Sequence, residues 1–362
     1  MIRCTNCRRP YPDQGIPYRC PTCGGLYDYD SLPVFEINQL ENGLPGIWRY
    51  RHSFGLGVDS PVVSLGEGHT PLVWSEVFGR RVAFKLEYIN PTGSFKDRGS
   101  ALIVSFLLSR KVDLAIEDSS GNAGSSFAAY AARAGIRSRV YLPETASGPK
   151  RKQIETLGAE VIPVSGPRSN AAEEVKRAAD QGLAYASHAY LPFNLPGYAT
   201  AAYEIYDQMG DAPGAIVLPI GQGGFLLGLN RGFAALQVTG LTSRLPAFVG
   251  VQARACAPLW ALFTYGIEGL RWVSEGATIA EGVRVRMPLR GDAVIKAVEE
   301  SGGTFIAVDE EVIFPGRDQL AHLGFYVEPT SAIVWDALSQ VVDKVPQPIV
   351  VVLTGTGLKY TG

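Results

Sequence analysis

Lys96 stands between a run of turn formers, Pro91-Thr92-Gly93-Ser94-Phe95, and a helix-like stretch that opens with Asp97-Arg98-Gly99. A lysine at such a junction has two readings. It is a solvated residue at a helix start, or it is an amine kept partly uncharged for nucleophilic work, because burial and a helix N-terminus both lower its pKa. A second group lies at the N-terminus. Cys4-x2-Cys7 and Cys20-x2-Cys23 are separated by twelve residues, with Pro10-Tyr11-Pro12 after the first pair and Gly24-Gly25 after the second. Four thiolates at that ribbon spacing make a closed tetrahedral zinc site, structural because no coordination position stays open. The competing readings are a disulfide pair, disfavoured in a cytoplasmic chain, and a knuckle that binds nothing. Cys256 stands alone and reads as a small core residue.

Three glycine-rich stretches follow apolar runs. They are Ser119-Ser120-Gly121-Asn122-Ala123-Gly124, Gly221-Gln222-Gly223-Gly224 and Thr354-Gly355-Thr356-Gly357. The second resembles the start of a dinucleotide fingerprint. Its third glycine position is Leu226, however, and no acidic residue follows at the required spacing. No glycine-lysine-serine/threonine ending marks a P-loop. A strand–glycine–helix loop still offers free amides and a positive dipole end to one phosphate; the alternative is a tight structural turn.

These residues need a scaffold. Apolar, strand-like runs at Arg81–Leu86, Asp113–Glu117, Arg139–Leu142, Glu160–Val164, Ala184–Ser187, Ala215–Pro219, Ala247–Val251, Thr304–Val308 and Pro348–Leu353 alternate with helical patterns. Among the latter are Lys96–Leu108, Asn122–Ala134, Pro149–Leu157, Ala171–Gln181 and Gly197–Met209. Strands apolar on both faces and alternating with helices predict an α/β fold with parallel sheets, whose ligands gather beyond the strands' carboxyl ends. The chain has 362 residues, 46% of them hydrophobic and 19% charged, which predicts two domains and an appendage. A net charge of −2 without charge runs gives no reason to expect nucleic acid, and no apolar stretch suits a bilayer. The N-terminus lacks the basic-then-apolar pattern of a leader, so the expected location is cytoplasmic.

A lysine at a helix start, a serine/asparagine loop, a phosphate cradle and a hydroxyl at a strand end together suit a phosphorylated aromatic aldehyde. The Pro91–Gly99 segment, Ser120-Gly121-Asn122, the Gly221 loop and Thr354-Gly355-Thr356-Gly357-Leu358-Lys359 resemble the threonine synthase family, as does Ser64-Leu65-Gly66-Glu67-Gly68-His69-Thr70-Pro71. That family belongs to the fold-type-II pyridoxal-phosphate (PLP) enzymes, tryptophan synthase β-like in architecture, and the likeness runs from about Ser60 to the C-terminus. It implies a zinc-ribbon-like segment over 1–30, a larger domain from 31–86 and 190–362, and a smaller inserted domain over 87–189. The cofactor would lie between the two domains of a homodimer.

The resemblance assigns roles residue by residue. Lys96 corresponds to the lysine that holds the cofactor's aldehyde and later moves protons. Asn122 corresponds to the partner of the ring hydroxyl. Gly221, Gln222, Gly223, Gly224 and Phe225 would bind the phosphate, and Thr354 would face the pyridine nitrogen, where a hydroxyl does not force a positive charge as a carboxylate would. Ser94, Ser119, Ser120, Gly121, Ala123, Ser187 and Asn194 would surround an amino-acid substrate, with Asp97 and Arg98 supporting the loop.

The implied reaction converts O-phospho-L-homoserine and water to L-threonine and phosphate. Departures weaken that substrate assignment. Ala123 replaces a family threonine, Asn194 an arginine that would grip the substrate phosphate, and Thr356 a histidine. Ile279-Ala280-Glu281-Gly282 resembles the dehydratase branch. The alternatives are therefore β-elimination or β-replacement, of serine/threonine dehydratase or cysteate synthase type, or a zinc-ribbon regulatory protein on a retired scaffold.

Overall fold

A computed structural model describes residues 1–57, 59–146 and 148–360. Its centre is a six-stranded sheet in the order β11-β10-β9-β12-β4-β3. These strands are β3 (Leu72–Val77), β4 (Arg80–Lys85), β9 (Ala215–Pro219), β10 (Ala247–Ala253), β11 (Thr304–Val308) and β12 (Ile349–Val352). All pair in parallel except β3 with β4. A four-stranded parallel sheet, β7-β6-β5-β8, lies between β4 and β9 in sequence, from β5 (Leu114–Glu117) through β6 (Arg137–Pro143) and β7 (Glu160–Val164) to β8 (Ala184–Tyr185). A two-stranded antiparallel ribbon, β1 (Ile2–Cys4) with β2 (Tyr27–Tyr29), carries the cysteines. The fold is α/β with parallel sheets. No helix among the described residues is long and apolar enough to cross a membrane.

Strands β9, β10 and β12 are buried along their whole length, which is why they read as unbroken apolar runs. Strand β3 has no such signature. It is an edge strand with only Val77 fully buried, and its turn to β4 runs through Phe78 and Gly79, both at positive φ. That turn matches the right-handed strand twist but uses phenylalanine where asparagine is usual, so the hairpin carries little sequence signal.

Six helices position the site: α1 (Lys96–Ser109), α2 (Asn122–Ala134), α3 (Pro149–Thr156), α4 (Arg168–Asp180), α5 (Asn194–Met209) and α6 (Gly224–Val238). Helix α5 begins three residues earlier than the apolar spacing predicts, because Pro196 falls in its first turn, where proline costs no hydrogen bond. Close packing ties α5 to α6. A Cβ on Gly228 would lie 2.4 Å from Tyr198, and one on Gly232 would lie 2.6 Å from the Ala199 carbonyl oxygen. Glycine at both positions lets the two backbones approach.

Candidate active site

Lys96 opens α1, and the loop before it is fixed from two sides. Toward the C-terminus, the Phe95 N–H donates to the Thr354 carbonyl (3.1 Å) and the Thr356 N–H to the Gly93 carbonyl (3.0 Å). Gly93 has φ +84°, and a Cβ there would lie 2.6 Å from Thr356 Cγ2, so the crossing requires glycine. Toward the inserted sheet, the buried Asp97 carboxylate accepts the Thr92 N–H, the Thr92 hydroxyl and the Ser126 hydroxyl, each at 2.6 Å. At the next residue, the fully buried Arg98 forks onto Glu87 (2.8 and 2.7 Å) and Glu204 (2.7 Å from each terminal nitrogen). Lys85 completes this cluster at 2.9 Å from Glu204.

Lys96 itself makes no hydrogen bond among the described residues; its amine lies 4.7 Å from the centroid of the Phe95 ring. Its area is partly exposed, yet the surrounding protein is dense. Burial pulls the amine down to about 8, against the opposing fields of Glu117 and Glu328. Two residues before it, the fully buried Ser94 hydroxyl has no partner among the described residues.

The Gly221 loop leaves β9 and opens α6. The backbone N–H groups from Gly221 to Leu226 have no acceptor among the described residues, as a helix N-terminus leaves them. Gly223 has φ +80°, and a Cβ there would lie 2.3 Å from Val294. A Cβ on Gly221 would lie 2.7 Å from the Gly282 carbonyl oxygen. The Gln222 side chain turns away to accept the Leu289 N–H at 3.0 Å.

At the end of β12, the buried Thr354 hydroxyl lies 3.0 Å from the Ser331 hydroxyl, which also accepts the N–H groups of Thr354 (2.7 Å) and Gly355 (2.9 Å). Asn122, at the start of α2, donates through its amide to buried Glu328 (2.7 Å). Glu328 pairs with Lys150 at 2.8 Å, and Lys359 donates to the Asn122 amide oxygen at 3.4 Å. Burial pulls Lys359 down to about 8.

The remaining loop residues divide into two sets. Ser119, Ser120, Gly121 and Asn122 are partly exposed; Ala123 is buried. A Cβ on Gly124 would lie 1.8 Å from the Ser119 carbonyl oxygen, so this turn also needs glycine. Ser187 and Asn194 are occupied within the protein. The Ser187 hydroxyl accepts the Ala189 and Tyr190 N–H groups, and the Asn194 amide donates to the His188 carbonyl at 2.6 Å. Asn194 is 1% exposed and packs against Gly99, and its own amide oxygen accepts no hydrogen bond among the described residues.

Sequence reasoning gave no role to Glu117, His188, Glu328 or Ser331. The first had a signal, since Glu117-Asp118 ends an apolar strand directly ahead of the Ser119 loop. Glu328 and Ser331 lie on a short helical turn without strand or glycine punctuation, and only the chain's return from Phe325 to Gly355 brings them in.

At the N-terminus the four cysteine Sγ atoms all lie within 4.8 Å of one another and could hold a metal ion. The ribbon docks firmly. Asp28 forks onto Arg231 of α6 (2.8 and 2.9 Å), and Arg290 donates to the carbonyls of Tyr27 (2.9 Å) and Tyr190 (3.0 Å).

A lysine amine poised near neutrality, an orphaned buried serine hydroxyl, a glycine cradle with free amides and a buried hydroxyl pair at a strand end converge where the two sheets present their carboxyl ends. This donor set fits pyridoxal phosphate: an aldehyde for the lysine, a phosphate for the amides, and a ring nitrogen for a hydroxyl. The site and fold define a pyridoxal-phosphate-dependent lyase of fold type II.

The comparisons agree. Residues 63–355 match the family described as pyridoxal-phosphate dependent enzyme. A threonine synthase of Methanocaldococcus jannaschii is 34% identical, covering 99% of this chain and 93% of that protein. One of Methanosarcina acetivorans is 32% identical over 94% and 87%. The crystal structure of an O-acetylserine dependent cystathionine β-synthase from Helicobacter pylori superposes with a TM-score of 0.68 at 22% identity, covering 82% of this chain and 95% of that one. The chain belongs to the threonine synthase family.

Proposed function

We propose that this protein converts O-phospho-L-homoserine and water to L-threonine and phosphate. The observation that carries this reading is Lys96, which opens α1 just after Phe95, whose N–H is held by the Thr354 carbonyl and whose ring lies 4.6 Å from that of Phe225 in α6, in a chain that matches threonine synthases along almost its whole length. Lys96 would hold the cofactor's aldehyde carbon, Asn122 its ring hydroxyl, and the amides of Gly221, Gln222, Gly223, Gly224 and Phe225 its phosphate. Thr354 would face the ring nitrogen, with Ser331 fixing the threonine hydroxyl. When bound, pyridoxal phosphate supplies the electron sink that lets a proton leave the substrate's Cα. Lys96, once free, accepts that proton and delivers it along the side chain as base and then acid. Ser94, Ser119, Ser120, Gly121 and Ala123 frame the amino acid, while Ser187 and Asn194 brace the 187–194 segment behind it.

The cofactor lies between a larger domain of residues 31–86 and 190–362 and an inserted one of 87–189, after the 1–30 ribbon. The protein works in the cytoplasm, and it works there as a homodimer; the dimer is supported by exposed Tyr265, Ile267, Leu270 and Trp272, an apolar cluster that a second copy would cover. One observation favours a second reading, β-elimination or β-replacement: Asn194 is neutral and buried, so it offers a substrate phosphate no charge. Purified protein given O-phospho-L-homoserine should release phosphate and form threonine in equal amounts. Keto acid from serine or threonine, with no phosphate release, would replace the first reading with the second.

The ribbon holds one structural zinc through Cys4, Cys7, Cys20 and Cys23. Tetrahedral Zn–S bonds place sulfurs roughly 3.8 Å apart, and the closest pairs here, Cys4–Cys23 and Cys7–Cys20, stand at 3.5 and 3.6 Å. Metal analysis should find about one zinc per chain. Cys4→Ser should lower the thermal midpoint by at least ~5 °C while changing kcat by less than about threefold. A zinc-free protein of undiminished stability would remove the metal.

A further inference from the structure

Glu117 and His188 leave the carboxyl ends of neighbouring parallel strands. β5 ends at Glu117, and β8, paired to it through Ile116 and Tyr185, ends three residues before His188. The same edge begins the Ser119–Asn122 loop. His188 Nδ1 lies 3.0 Å from Glu117 Oε1. The other carboxylate oxygen accepts the Asp118 N–H, and Glu117 is 1% exposed. The imidazole is held from behind: Asn194 donates to the His188 carbonyl, and Arg290 donates to those of Ala189 and Tyr190. Its Nε2 edge makes no hydrogen bond among the described residues, and the side chain is 22% exposed. Burial pushes the Glu117 carboxyl up and the His188 imidazole well down, and each acts through its charge on Lys96 or feels the charge of Lys96. Asp118 and Arg168, paired at 3.0 Å, and Tyr185, which donates to Asp118, are the other ionisable groups around the dyad. Together these features describe a carboxyl–imidazole pair at the carboxyl edge of the sheet, joined through Nδ1 at 3.0 Å and with Nε2 left without a hydrogen bond among the described residues.

We propose that His188, backed by Glu117, is the proton donor to the departing oxygen of the substrate. This rests on the pyridoxal-phosphate reading above and adds a residue to it. As the substrate Cγ–O bond breaks, its electron pair stays on oxygen and the Nε2 proton of His188 goes to that oxygen. The Glu117 proton passes to Nδ1, leaving Glu117 ionised, and bulk water later restores the proton. Phosphate then leaves as monohydrogen phosphate, its charge reduced by the proton from His188.

The test compares two leaving groups on one carbon skeleton, O-phospho-L-homoserine and L-2-amino-4-chlorobutanoate, whose chloride needs no proton. His188→Asn should lower kcat for the phosphate ester by about 10²–10³-fold and for the chloride by less than about threefold. Glu117→Gln, which keeps a polar contact to Nδ1 but has no proton to pass on, should lower the ester rate about tenfold. Equal losses for both substrates, or no loss for either, would overturn the proposal. Each variant must keep the cofactor absorbance and substrate Cα–H exchange in D2O, whereas absence of both from the wild type would instead sink the cofactor reading. Should the wild type turn over L-serine and not the phosphate ester, the pair becomes L-serine and β-chloro-L-alanine, with the same expected and overturning outcomes.

Discussion

Lys96→Ala is expected to yield a folded, colourless protein with no measurable turnover. Lys96 makes no hydrogen bond among the described residues and is partly exposed, so its removal costs little stability; the loop before it is held by Asp97, Arg98 and the Thr354 segment. The two other lysines in this region are committed elsewhere, Lys150 to Glu328 at 2.8 Å and Lys359 beside Asn122. No amine is left to replace it, so the rate should fall by at least ~10⁴-fold. The wild type should show a yellow absorbance that borohydride abolishes, and the variant should show none. The lysine's pKa adds a second readout. With the amine pulled down to about 8, it is mostly protonated at pH 7 and mostly neutral at pH 9. Only the neutral form is nucleophilic, so colour should develop about ten times faster at pH 9 than at pH 7 when cofactor is added to the apoprotein. A variant that keeps a reducible chromophore and normal rate would remove Lys96 from the centre of the site.

The parts of this molecule that were legible in its sequence are those where one residue type has one physical use. Buried parallel strands require unbroken apolar runs, and β9, β10 and β12 read at once. Gly93 and Gly223 occupy positions where positive φ and close neighbours exclude a side chain, so their loops were visible as punctuation. The edge strand β3 was not, because its solvent-facing residues do not alternate and its turn uses Phe78. Nor were Glu328, Ser331 and His188. Each of them acts through a partner more than twenty residues away in sequence, Asn122, Thr354 and Glu117 respectively, and no local pattern encodes such a meeting. Asn194 shows the converse. The family pattern makes it a substrate contact, whereas the structure buries it against Gly99 and uses its amide to fix the His188 backbone.

Arg98→Ala is expected to be the most destabilising of the single changes considered. The guanidinium is fully buried and makes five of its bonds to Glu87, Glu204 and Thr200, with Lys85 sharing the Glu204 Oε2 atom. Such a cluster is not by itself a source of great stability, since desolvation offsets most of the attraction. Removing one member, however, leaves two carboxylates in the interior with a single lysine, at a cost of about 3–5 kcal/mol. Urea unfolding at pH 7 should show that loss. The sign of the pH dependence follows from Glu204. Arg98 and Lys85 hold its carboxyl well below the ordinary range despite burial. A depressed carboxyl stabilises the fold above its unfolded value of roughly 4.3, and that stability is lost as pH falls through the folded value. The gap between wild type and Arg98→Ala should therefore be widest above about pH 5 and should narrow below about pH 4. Because Arg98 lies two residues from Lys96 on the same helical turn, the variant's remaining folded fraction should also load cofactor more weakly. A gap below ~1 kcal/mol at pH 7, or one that grows on acidification, would show that the cluster does not hold the lysine's helix in place.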